Sequence, residues 1–219
     1  LLLSMVEFAQ SEEKKSSGSV AISGRVLHLD TESPMSVKLF VYNLTNNKEV
    51  ASTISDPTTG EYSLTLPYGM HYGIGAHLDD FLPIFEELHL VETLDIHEVE
   101  KNVYVAPLKK GETIPLTNVH FSDNGKKILP MSFMALDELA NVMERHAKMK
   151  IEVKGLEHFG KAGHTEEHAL KSAKAIAKYL YQKGIAKDRV TYGIIPKADL
   201  HVPSDFQEIF EVELMIREI

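Results

Sequence analysis

The chain has 219 residues, 23 basic against 32 acidic side chains, a formal charge of −9, an apolar fraction of 43% and no cysteine. This length fits two domains of about 100 residues, each with a modest core. The acidic balance leaves no basic stripe to displace counterions from nucleic acid and gains nothing from an anionic lipid surface, and without thiols there is neither a disulfide nor a cysteine-ligated metal.

The chain begins at Leu1, without a Met, on LLLSMVEFAQ. This stretch reads as the tail of a signal h-region ending at Ala9-Gln10, as the end of an upstream segment of a longer protein, or as an ordinary connector. Ser11 to Ser19 is charged and then Ser/Gly-rich, the composition of a flexible linker, so residues 1–18 are expected to lie outside the folded units. No apolar run approaches the roughly 20 residues that a helix needs to span a bilayer.

A series of short alternating segments follows. Ser19 to Asp30 alternates around Val20, Ile22, Gly24, Val26 and Leu27. Ser36 to Thr45 does so through Val37, Leu39 and Val41, Lys48 to Ser55 continues after the Asn46-Asn47 turn, and Glu61 to Pro67 alternates Tyr62, Leu64 and Leu66. His71 to Leu78 and Lys101 to Leu108 complete the set. Asp56-Pro57-Thr58-Thr59-Gly60 and Pro67-Tyr68-Gly69 are turn signals, because Pro presets φ and Gly accepts a positive φ. Strands at this spacing, broken by turns, predict an all-β sandwich. Asp80 to Glu100 is acidic and mixed, and is expected to hold one irregular strand and a loop.

The residues Asp56, Gly60, Tyr62, Leu66, Pro67, Gly69 and Tyr72 resemble the D-x-x-G-x-[YF] and L-P-x-G-x-x-Y signature of carboxypeptidase regulatory-like (transthyretin-like) domains, with one extra residue between Asp56 and Gly60. The resemblance covers about Ser19 to Pro107 and implies a small, non-catalytic seven-stranded sandwich, expected over residues 19–108. Tyr62 and Tyr72 are read as core aromatics. His71, His77, His89 and His97 match no compact metal-ligand spacing; His89 and His97 stand eight apart, unlike the H-E-x-x-H helix motif.

Lys109-Lys110-Gly111-Glu112 is a short junction, so two units joined by it are expected to touch. Ile114, Leu116 and Val119 suggest a strand, and Ser132 a helix N-cap. Phe133, Leu136, Leu139, Ala140 and Met143 repeat at helical spacing on one face. Ile151 to Gly155 is a strand, Glu166 to Gly184 spans a long helix, and Asp188 to Gly193 is the next strand. The last strand runs to the C-terminus. Its apolar residues Ile209, Phe210, Val212, Leu214 and Ile216 fit either a strand covered on both faces or an interface. Phe81, Leu82, Ile84 and Phe85 form a second apolar group that would mark a protein contact if exposed.

The order β-α-β-α-β-β predicts an α+β unit with its helices on one mixed sheet. The segments IPLTNVHFSDNGKKILPMSFMALDEL, IEVKG, ALKSAKAIAKYLYQKGI, DRVTYGIIP and VELMI resemble, in this order, the conserved pieces of the OmpA-like C-terminal domain. Coverage is about Gly111 to Ile219, so residues 109–219 are expected to form this second domain. A regulatory-like sandwich followed by such a domain is an arrangement of Bacteroidetes envelope proteins. The resemblance implies a periplasmic protein associated with the outer membrane of a Gram-negative bacterium, non-catalytic and without a cofactor. Its partner would be peptidoglycan or other envelope proteins.

In that family an Asp in G-H-T-D pairs with the ammonium of diaminopimelate, and an Arg in L-S-x-x-R-A grips a ligand carboxylate with its bidentate fork. Here Gly155 takes the Gly position and is followed by Leu156, Glu157 and His158, so His158 falls in the Asp slot and Glu157 beside it. Lys174 occupies the Arg slot. The later N-R-R-V-E becomes Ile209-Phe210-Glu211-Val212-Glu213, and the Arg preceding it falls near Phe206. Glu157, His158 and Lys174 are therefore the candidate pocket residues, with diaminopimelate binding weakened or lost. Gly163-His164-Thr165-Glu166 imitates the motif, but it lies directly before the helix and reads as an N-cap at Thr165 with acids in the first turn.

Three functions remain open. The first is an envelope protein that tethers, or once tethered, peptidoglycan. The second is a scaffold subunit of an envelope secretion or motility assembly. The third is a metal-dependent hydrolase using His158, His164 and His168 with Glu157, Glu166 and Glu167, a cluster that lacks a recognised ligand spacing. No nucleophile–base pair or phosphate-binding glycine loop is visible.

Overall fold

The computed structural model describes residues 18–90, 97–122, 125–157, 165–196 and 210–219. Among these residues it is mostly β, with two α-helices. Nine strands make up its first half: β1 (Ser19–His28), β2 (Lys38–Asn43), β3 (Lys48–Ile54), β4 (Glu61–Pro67), β5 (Met70–His77), β6 (Phe81–Pro83), β7 (Glu86–Leu90), β8 (Glu98–Glu100) and β9 (Val103–Pro107). One sheet has the order β4-β1-β9-β6, with β8 also paired to β1, and the other has the order β3-β2-β5-β7.

The alternation seen in the sequence decides what lies between these sheets. Val20, Ile22 and Val26 of β1, Leu39 and Val41 of β2, Tyr72 and Ile74 of β5, and Val103 and Val105 of β9 are fully buried in one cluster. Each such aliphatic residue contributes roughly 1.5–3 kcal/mol on burial. Tyr62 and Tyr72 are core aromatics whose hydroxyls donate to the carbonyls of Lys101 at 2.5 Å and Pro67 at 2.9 Å. The turn before β4 is held by Asp56, whose Oδ1 accepts from the backbone N–H groups of Thr58 and Thr59 at 2.8 and 2.9 Å. Gly60 closes that turn at φ +72°.

The stretch Asp80 to Glu100 departs from expectation. It holds β6, β7 and β8 rather than one irregular strand. Leu82 and Ile84 are buried in the core of the second half, Phe85 is buried beside Leu44 and Met134, and Phe81 packs on the core between the two sheets, so these residues form no exposed contact patch. Phe85 slots over Gly75, where a Cβ would collide with its ring.

The second half contains β10 (Thr113–Pro115), α1 (Phe133–Arg145), β11 (Lys150–Leu156), α2 (Glu166–Gln182), β12 (Val190–Ile195) and β13 (Val212–Glu218). Its sheet has the order β10-β13-β11-β12, in which only the β11/β12 pair is parallel. Ile151 and Val153 of β11 and Val212, Leu214 and Ile216 of β13 face Leu136, Leu139 and Met143 of α1 and Ala173, Ile176 and Leu180 of α2. The final strand therefore alternates and has one helix-covered face: Glu213 and Met215 lie between its buried residues, and Arg217 and Glu218 are exposed. That corrects the expectation of a strand covered on both faces, and Ile209 lies outside the described residues.

Two further expectations change. The strand expected through Val119 ends at Pro115. Ser132 is not a side-chain N-cap; its Oγ instead accepts from the backbone N–H of His120 at 2.8 Å, which ties the preceding loop to the start of α1. The two halves share buried surface, since Leu82, Ile84 and Ala106 join the core of the second half and Leu44, Phe85 and Met134 form a small cluster between them.

Candidate functional site

Glu157 and Lys174, two of the candidate residues, lie at the end of β11 and on α2, and the chain entering β13 runs beside that end. The local packing is tight. A Cβ on Gly155 would overlap the carbonyl of Ala169, so strand and helix approach more closely than any side chain allows. The Leu156 N–H donates to the Glu211 carbonyl at 2.9 Å, which seats the chain entering β13 beside the end of β11. Gly125, at φ +66°, closes over the same turn of α2; a Cβ there would come within 2.9 Å of both the His168 carbonyl and Ser172 Oγ.

Of the three candidate residues, Glu157 directly follows β11 and is half-buried. Lys174 is exposed on α2. His158 lies outside the described residues, as do Phe206, Gly163 and His164. Thr165 is the N-cap of α2, with a β-region backbone and a side chain that accepts from the His168 N–H at 3.3 Å. Glu166 and Glu167 occupy the first turn, where the helix dipole favours acids. The Lys171 ammonium lies 2.5 Å from Glu167 and holds that carboxyl below its ordinary range.

The arrangement brings together a pair that sequence reading did not join. His168, 5% exposed, places Nε2 3.1 Å from Glu211 Oε2. Glu211 is the acid standing where the OmpA-like pattern has the second arginine of N-R-R-V-E. A carboxylate cannot grip a ligand carboxylate; it is an acceptor, and one of its oxygens already faces the imidazole from α2. The available signal was the charge reversal at 211 together with a histidine on the buried face of α2, but 43 residues separate the two. Among the described residues no group of three or more His, Asp or Glu side chains is placed to hold a metal ion.

No family model and no curated protein matches the chain. Among solved structures, it is similar in part to the periplasmic domain of Helicobacter pylori MotB, at 17% identity over 49% of this chain and 82% of that one, with a TM-score of 0.41. It is similar to a MotB-like protein from Desulfovibrio vulgaris at 17% identity over 49% and 72% of the two chains, with a TM-score of 0.39. An outer membrane protein from Borrelia burgdorferi gives 23% identity over 49% and 87%, with a TM-score of 0.34. Likeness at this level is partial and assigns no ligand to this chain.

Proposed function

We propose that the chain is a non-catalytic cell-envelope protein of the periplasm, associated with the outer membrane. In this reading residues 19–108 are a carboxypeptidase regulatory-like sandwich. Residues 109–219 are a divergent OmpA-like domain whose diaminopimelate pocket has given way to an internal His168–Glu211 hydrogen bond. The order of helices and strands along the sheet β10-β13-β11-β12 supports the domain reading. The observation that carries the loss of binding is the His168–Glu211 pair at 3.1 Å.

The physical argument concerns charge. Diaminopimelate presents ammonium and carboxylate groups together, and a site for it needs an anion and a fork-shaped cation at fixed separation. Here the Arg slot holds Lys174, which keeps the charge without the fork, and Glu211 adds an anion already engaged by His168. A domain with this chemistry serves better as a scaffold for other envelope proteins, such as subunits of a secretion or motility assembly, than as a peptidoglycan tether.

Co-sedimentation of the purified chain with diaminopimelate-type sacculi tests this. The wild type is expected to sediment no more than a non-binding control protein. Saturable sedimentation that Lys174→Ala abolishes would overturn the reading and place peptidoglycan in the family pocket.

A further inference from the structure

A cleft of about 450 Å³ lies between the two halves of the fold. Ligand pockets favour such junctions and run to roughly 300–1,000 Å³. β7 and the stretch from β8 to β9 contribute Glu86, Glu100 and Tyr104, and the loop between β10 and α1 contributes Thr117, Asn118 and His120.

Bonds across the junction hold the two sides in place. The Thr117 hydroxyl donates to the Phe85 carbonyl at 3.1 Å. His120 Nε2 lies 2.5 Å from one oxygen of Glu87, and His71 Nε2 lies 3.0 Å from the other. Lys101 pairs with Glu86 at 2.7 Å. These groups are spent on the protein itself and fix the shape of the cleft.

Three others are not spent. Asn118 is 5% exposed, and among the described residues its Nδ2 has no hydrogen-bond partner. A buried amide donor without an acceptor is rare in folded proteins. Asn118 also borders a small cavity lined by Leu82, Ile84 and Leu139, side chains that offer it no acceptor. Asn102, in the same cleft, accepts through Oδ1 from the Arg25 N–H at 2.9 Å, so its amide nitrogen is left to donate. The exposed Glu100 carboxylate has no hydrogen bond or ion pair among the described residues.

We propose that this cleft binds a neutral saccharide, whose oxygens accept from the amides of Asn118 and Asn102 and whose hydroxyls donate to Glu100. Amide nitrogens need acceptors, which an ammonium ion lacks, and a free carboxylate needs a donor; sugar hydroxyls supply both from one ring. Tyr104, half-buried against the core of the second half, offers an aromatic surface to the apolar face of that ring. Three carboxylates against the one ammonium of Lys101 turn away ligands that carry carboxylates or phosphates. Among the described residues these acids form no group placed to hold a metal ion. The cleft shares no residue with Glu157, Lys174 or the His168–Glu211 pair, so saccharide binding here stands apart from the loss of diaminopimelate binding.

Nitrogen–proton correlation spectra of the full chain, titrated with maltose, cellobiose, lactose and mannobiose and separately with spermidine, test the site. At least one sugar is expected to shift the signals of Glu100 to Asn102 and Thr117 to His120 saturably, and spermidine is expected to leave them in place. Asn118→Leu and Glu100→Ala are each expected to weaken that binding at least about ten-fold. Glu100 is exposed, so its variant decides the matter even if the Asn118 variant does not fold. The proposal fails if none of the four sugars gives a saturable shift, if the shifts lie away from the cleft, if spermidine takes the sugar's place, or if Glu100→Ala binds as the wild type does.

Discussion

The carbonyl of Ala169 occupies the space in which a side chain on Gly155 would begin. This contact sets the distance between β11 and α2, and the His168–Glu211 pair lies one residue away along the helix. Gly155→Ala must push the helix off the sheet, at an expected cost of about 3 kcal/mol. At Gly193 on β12 a Cβ would meet only Glu152 Oε1, at 3.7 Å, and Gly193→Ala is expected to change stability by less than about 1 kcal/mol. Urea denaturation of the two variants checks the contrast.

Arg189 serves the fold rather than a ligand. Its guanidinium donates to the carbonyls of Met149 at 2.9 Å, Met143 at 2.7 Å and His146 at 2.8 Å, and so satisfies the end of α1 and the turn into β11. Arg189→Met removes these three hydrogen bonds; of the three carbonyls, that of His146 keeps another donor, the Met149 N–H at 2.9 Å, and the change is expected to cost about 2–3 kcal/mol. Arg189→Lys keeps the charge but cannot reach all three, and is expected to recover less than half of the loss. Thermal unfolding of the three proteins measures both values.

Asp56 gives the acid limb of stability a specific contribution. The Thr59 and Thr58 N–H groups hold its carboxyl below the ordinary range, with the Thr59 hydroxyl adding to them. A carboxyl depressed in the folded state stabilises above its unfolded value, about pH 4, and that stability is lost as pH falls through the folded value. Wild type is therefore expected to lose stability faster than Asp56→Asn between pH 4 and pH 2. Denaturant midpoints across that range check the slopes.

Where apolar periodicity was strong, the sequence could be read directly. Leu136, Leu139, Ala140 and Met143 gave α1, and the β1, β2, β4 and β5 segments declared themselves by alternation. Phe133, placed on the same helical face, is only half-buried, because it stacks at 5.4 Å on Tyr179 at the edge of the core. The stretch 81–90 was misjudged because its acids Glu86 and Glu87 are engaged by Lys101, His71 and His120, partners far away in the chain. Ser132 had the composition of a cap, but its hydroxyl had a competing donor in the His120 N–H. The His168–Glu211 pair was illegible for the same reason: pair formation across the sheet edge leaves no local pattern.

The central claim is the proposal that diaminopimelate does not bind here, with Glu211 an anion facing His168 at 3.1 Å and Lys174 a cation without a fork. Titration calorimetry of meso-diaminopimelate into the folded chain tests it most directly. The account predicts no saturable heat, in the wild type and in Lys174→Ala alike. A one-to-one binding isotherm in the wild type that Lys174→Ala removes would contradict it.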